Sequence, residues 1–143
     1  MPFAVGGRNF RHLVERRSLE HKYLIDSCGT GHWHVGEPPH KNSLLVAKKH
    51  GVSLEGQRAR QICSNDFQMF DLIVAMDRQN QEDLFSWSHN SNARIICLRE
   101  FDSAADNHDV PDPYYGGLEG FQSVYEILHR SCLALLEDLE KSK

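Results

Sequence analysis

Phe70-Asp71-Leu72-Ile73-Val74-Ala75-Met76-Asp77 holds five apolar residues in an unbroken run between two aspartates. A strand with one wet face alternates polar and apolar positions, so a run this short and continuous marks a strand covered on both faces. Downstream, Ala93-Arg94-Ile95-Ile96-Cys97-Leu98 reads as a second buried strand, and Gln79–Ser86 between them reads as a helix. Upstream, Tyr23-Leu24-Ile25-Asp26-Ser27 reads as a strand that runs into the turn Gly29-Thr30-Gly31. Leu44, Leu45 and Ala47 give a helix, with Ser43 as the expected N-cap and Gly51 as the residue just past its end. Phe10, Leu13 and Val14 share one face of a short helix. Phe121, Val124, Tyr125, Leu128, Cys132, Leu135, Leu136 and Leu139 fall at helical spacing and predict a long amphipathic helix at the end of the chain.

This alternation of strands and helices is that of an α/β fold, a parallel sheet flanked by helices. Ligands of such sheets bind at the carboxyl ends of the strands. The segments leaving those ends are Cys28–Pro39, Asp77–Asn80 and Phe101–Gly117. Only three strands are legible, which is thin for a sheet covered on both faces.

The 143 residues predict a single domain over 1–143, and 40% apolar with 25% charged residues excludes a disordered chain. The net charge of −4 argues against a nucleic-acid partner, which would call for a basic surplus. The five-residue run Leu72–Met76 is far below the ~20 residues of a membrane span, and residues 1–8 lack the ordering of a signal peptide. Cys28, Cys63, Cys97 and Cys132 form no C-x-x-C pair, the usage expected of reduced thiols in a cytoplasmic protein.

Three stretches offer chemistry. Gly29-x-Gly31 follows a strand, but Gly36 comes two places too late for a dinucleotide fingerprint and no helix opens there. His32, His34 and His40 crowd around Glu37, yet spacing fixes no third ligand and Pro38-Pro39 breaks the geometry, so no metal is expected. In Asp109-Val110-Pro111-Asp112-Pro113-Tyr114-Tyr115-Gly116-Gly117, two prolines stiffen a loop around one carboxylate. Asp is common in plain solvated turns. A rigid loop is also how a catalytic acid is held within reach of a leaving group.

Taken in order, the chain resembles the low-molecular-weight protein tyrosine phosphatases from about Phe10 to Leu139. The resemblance is carried by Phe10-Arg11-His12-Leu13, Ile25-Asp26-Ser27-Cys28-Gly29-Thr30-Gly31, Trp33-His34-Val35-Gly36-Glu37-Pro38-Pro39 and Gln57-Arg58-Ala59-Arg60-Gln61. It continues through Phe70–Asp77 and the highly specific Asp109–Gly117 stretch. The resemblance implies a four-stranded parallel sheet and phosphomonoester hydrolysis without cofactor or metal, through a phosphocysteine. Its substrates would be a phosphotyrosine protein or a small aryl phosphate. It implies Asp112 as the general acid and base, Trp33, Tyr114 and Tyr115 around the substrate, and Asp77 as support for the phosphate loop.

The family's nucleophile motif, C-x5-R and then Ser or Thr, is missing. Six residues past Cys28, Cys63, Cys97 and Cys132 stand His34, Met69, Ser103 and Asp138. Pro2-Phe3-Ala4-Val5-Gly6 resembles the segment just after that motif in relatives, which puts Met1 about where the serine after the arginine would be. The expectation is therefore a phosphatase-like domain shortened at its N-terminus, without the first central strand and inactive as given. Alternatives are a natural non-catalytic relative serving as a binding module, and an anion nest rebuilt from Gly6-Gly7-Arg8. An arsenate-reductase-like relay is weaker, because the cysteines lie at least 34 positions apart.

Overall fold

The computed structural model describes residues 2–30, 36–54, 60–88, 91–112 and 117–141, with side chains from Gly7 onward. Helices α1 (Pro2–Arg16), α2 (Lys41–Lys49) and α3 (Ser64–Met69) precede strand β1 (Leu72–Ala75). Helix α4 (Arg78–Trp87) crosses to strand β2 (Arg94–Cys97), and α5 (Gly117–Lys141) closes the chain. The strands are parallel, with Leu72 opposite Arg94 and Ala75 opposite Cys97.

Side-chain alternation sorts the strands' neighbours into layers. Leu72, Val74, Met76, Ile96 and Leu98 join the core formed with α1, α2 and α5, where Val14, Leu128 and Leu136 are fully enclosed. Ile73, Ala75, Ile95 and Cys97 face the other way, onto Phe67 of α3 and Leu84 of α4. Both faces are covered, which is why the five-residue run carries no polar position.

Helix ends follow local chemistry, with one correction. His40, not Ser43, caps α2: its Nδ1 accepts the Asn42 N–H at 3.1 Å, while Ser43 is buried inside the helix. Pro39 disfavours helix in the residue before it, so the helix opens as soon as the proline pair ends. Gly51 does end α2, at φ +80°: its N–H bonds Lys48 O at 3.0 Å and Val52 N–H reaches Ala47 O at 2.9 Å. This double closure needs a left-handed residue, hence the glycine.

The expected strand at Tyr23–Ser27 is extended but joins no sheet; beyond the two named strands, the bridge recorded among the described residues is Gly29 with Gln61. A strand is defined by its neighbour, and none of the described residues pairs with this segment as one. It is pinned through side chains instead: the Arg11 guanidinium donates to Ile25 O, the Tyr23 hydroxyl donates to Glu140, and Phe10 meets Tyr23 edge to face at 5.9 Å. Gly7 lets Ser27 approach α1, since a Cβ there would lie 3.1 Å from Ser27 Cβ. The short helix around Phe10 begins at Pro2, so Gly6-Gly7-Arg8 are helical and form no anion nest. Among the described residues, no helix is long and apolar enough to cross a membrane.

The packing of α1 on α5 carries a pH dependence. Burial, then nearby His50, His12 and Arg16, hold the His129 imidazole below its ordinary value. The unfolded chain, near 6.5, takes its proton first, so stability falls as pH drops below about 6.5. Urea unfolding should give a lower free energy at pH 5.5 than at 7.5, and His129→Gln should flatten that difference.

Candidate active site

The carboxyl ends of the strands gather the polar groups the sequence pointed to. Asp77, the residue after Met76, caps α4 by accepting the Asn80 N–H at 2.7 Å. Asn80 Oδ1 in turn accepts the Thr30 hydroxyl at 3.4 Å, and Gln61 Nε2 donates to Thr30 O at 3.3 Å. The turn after Tyr23–Ser27 thus meets the start of α4 at one end of the sheet. Below Asp77, the Cys97 thiol donates to Asp77 O at 3.5 Å and to Gln81 Oε1 at 3.2 Å.

Asp112 is exposed at the end of a loop fastened at three points. Val110 is buried and its N–H bonds Met76 O at 2.7 Å, tying the loop to the end of β1. The Asp109 carboxylate accepts the Arg78 N–H at 2.9 Å, at the start of α4. Arg99 donates to Asp109 O at 2.8 Å. Arg99 is itself buried and held by Asp102, 3.3 Å away, whose other oxygen takes Arg130 of α5 at 2.9 Å. Burial works to push the Asp102 carboxyl up, but the Arg130 bond, the Ala104 N–H and Arg99 outweigh it and hold it low. A buried ion cluster therefore fixes the loop on which the candidate acid sits. Trp33, Tyr114 and Tyr115 lie outside the described residues.

A second ion cluster surrounds Cys28. Arg60 binds Asp66 through two bonds of 3.0 Å and reaches Asp26 at 3.1 Å. This fork–fork pairing joins the start of α3 to the extended segment. Cys28 gains little from it: burial pushes its thiol up to about 11 despite Arg60. Cys97 is likewise raised to about 11 and Cys132 to about 12, both by burial first. At pH 7 a thiol of pKa 11 is thiolate in only ~1 molecule in 10⁴, and the thiolate is the nucleophile.

The family model for low molecular weight phosphotyrosine protein phosphatase matches residues 6–143. The chain belongs to that family. It is 38% identical over 135 residues to the low molecular weight protein-tyrosine-phosphatase YfkJ of Bacillus subtilis, covering 94% of this chain and 85% of that protein. The crystal structure of YfkJ superposes with a TM-score of 0.88 at 35% identity, over 98% of this chain and 87% of that one. A protein tyrosine phosphatase structure from Entamoeba histolytica gives 0.91 at 31% identity, over 97% and 89%. A Drosophila structure titled as an arginine phosphatase gives 0.86 at 28%, over 94% and 88%. The low-molecular-weight phosphatase family and its α/β fold with a parallel sheet are thereby shown.

Sequence reading missed the Arg99–Asp102–Arg130 cluster. Asp102 and Arg130 stand 28 residues apart and carry no local signal of their pairing. Asp102→Asn would leave Arg99 buried without its counter-charge and should cost about 3 kcal/mol in urea unfolding. Glu137→Gln, which breaks an exposed pair with Arg17, should cost under ~0.5 kcal/mol.

Proposed function

We propose that this chain is a low-molecular-weight phosphatase domain, a single domain over residues 1–143, that does not turn over phosphate monoesters as it stands. The observation that carries the reading is the missing nucleophile motif: none of the four cysteines has an arginine six residues on. Burial of Cys28, Cys97 and Cys132 supports it, since no activated thiolate arises from them. The resemblance of Pro2-Phe3-Ala4-Val5-Gly6 to the segment that follows the C-x5-R motif in relatives supports it as well.

What remains is the other half of the site. Asp112 is the general acid and base, Trp33, Tyr114 and Tyr115 flank the substrate, and Asp77 fixes the rim from the end of its strand. The substrate class for which this half is built is a phosphotyrosine protein or a small aryl phosphate. The reading calls for no cofactor or metal and no nucleic-acid or membrane partner, and it places the chain in the cytoplasm, in keeping with four free cysteines.

The complete reaction shows what Asp112 lacks. A thiolate forms a sulfur–phosphorus bond as the phosphorus–oxygen bond to the aryl group breaks, and the carboxylic acid gives its proton to the departing oxygen. The resulting carboxylate then takes a proton from water, which attacks phosphorus and releases phosphate and thiolate. Acid–base assistance contributes ~10²–10⁴ in rate, but only to a nucleophile that is present. A second reading, a binding module on the phosphatase scaffold, is favoured by a cavity beside β1 lined by Tyr23–Cys28 and Phe70–Val74.

The chain should show no metal-independent hydrolysis of p-nitrophenyl phosphate. Turnover that survives purification and vanishes in Asp112→Asn would overturn this. Fusing a relative's first strand and C-x5-R-S loop ahead of Pro2 should create activity. In that fusion, Asp112→Ala should slow esters of poor leaving groups most, because they need the proton. An active fusion indifferent to Asp112 would show that the acid lies elsewhere.

A further inference from the structure

Histidines fasten α2 to α5 at both of its ends. At its start, His40 Nδ1 accepts the Asn42 N–H at 3.1 Å, and the His40 ring stacks on Phe121 with centroids 4.7 Å apart. At its end, the His50 ring stacks on Tyr125 at 4.2 Å, with the two planes 12° apart. Tyr125 lies 6.1 Å from His129, one turn further along α5, with those planes 11° apart. His129 Nδ1 is 3.3 Å from Oδ1 of Asn9, a fully buried residue of α1. One array of near-parallel rings therefore joins the end of α2 to α5, and α5 to α1.

Hydrogen bonding fixes the protonation that this array requires. The Gln122 amide nitrogen, 3.1 Å from His50 Nε2, can only donate, so that ring nitrogen accepts and the imidazole is neutral. Asn9 Oδ1 can only accept, so His129 carries its proton on Nδ1. A second proton on His129 meets no counter-charge: burial opposes it first, then His50 from the end of α2, and His12 and Arg16 from α1. Around His50 stand Lys48 and Lys49 of α2 itself and, from α5, His129 and Glu126, the last held by Gln122 Nε2 at 3.2 Å.

We propose that the His50–Tyr125–His129 array is a pH-sensitive latch that seats α2 on α5 while both imidazoles are neutral and releases it when they take up protons. Protonation of His50 removes the lone pair that accepts the Gln122 bond. Protonation of His129 sets a cation among His50, His12 and Arg16. Rings freed by opening titrate near the ordinary 6.5, so the open state binds more protons, and opening grows as pH falls through that value. The event is local because α2 commits only Ser43, Val46 and Ala47 to the interior, against eight buried residues of α5. In sequence, α2 follows the stretch that carries Trp33, so the latch would couple pH to that side of the candidate site. That consequence rests on the phosphatase reading, whereas the latch itself does not.

Amide hydrogen exchange of the full chain, corrected for the intrinsic pH dependence of exchange, reads the opening of α2 directly. The amides of Val46–Lys49 should open about three- to tenfold more at pH 5.5 than at pH 7.5. Low urea should leave that opening unchanged, the mark of a local event, while Ile95–Cys97 of β2 exchange through urea-sensitive unfolding. His50→Gln and His129→Gln should each reduce the pH response. His50 is exposed, so its variant keeps the fold whatever His129→Gln does to packing. His40→Asn supplies an N-cap that does not titrate and should leave the response intact. Equal opening at the two pH values would overturn the proposal. So would a response unchanged in His50→Gln, one that vanishes in His40→Asn, or one in which α2 and β2 open together with the same urea dependence.

Discussion

A sheet covered by helices on both faces has no water at its backbone, so each N–H and C=O in it must find a partner across the ladder. That constraint organises this molecule. β1 and β2 satisfy it between themselves, with Ile73 and Ala75 turned to one helical layer and Leu72 and Val74 to the other. On the far side of β1 no further strand pairs among the described residues, and a cavity lies between β1 and Tyr23–Cys28. The long α5 spans the structure regardless, its Leu128 and Leu136 fully enclosed, so the layers are held by helix packing rather than by a central strand.

The same ladder sets the chemistry. Strand carboxyl ends converge, and the groups leaving them are locked by hydrogen bonds rather than by bulk: Asp77 on Asn80, Val110 on Met76, Arg99 on Asp109. Charge here serves position. Asp102 sits between two arginines to hold the loop that precedes Asp112, and Arg60 sits between two aspartates to hold the extended segment to α3. At Cys28 and Cys97 burial outweighs the cations nearby and holds the thiols up.

How much of this could be read in the residues depended on how local each signal was. The run Leu72–Met76 announced β1 because two-sided burial writes itself into consecutive positions, and the eight apolar positions of α5 announced their helix by spacing alone. Tyr23–Ser27 carried strand-like composition, but strand status needs a neighbour, and no property of those five residues reveals that none of the described residues pairs with them. The thinness of a three-strand sheet did hint at it. α3 spans six residues, too few for a period to show, and its anchor Asp66 meets Arg60 only in the folded chain. Asp112 stood out through its flanking prolines and through family resemblance, whereas the cluster that steadies its loop joins residues 28 apart and left no trace.

The central claim is that, among the described residues, β1 is paired along one edge, to β2, and not along the other. Amide hydrogen exchange of the free chain at single-residue resolution tests it within a single strand, where burial and local sequence are matched. Ile73 and Ala75, which face β2, should be strongly protected. Leu72 and Val74, together with Leu24, Ile25 and Asp26 across the cavity, should exchange far faster. Uniform protection along β1 would mean that the edge is already paired in solution and would contradict the account.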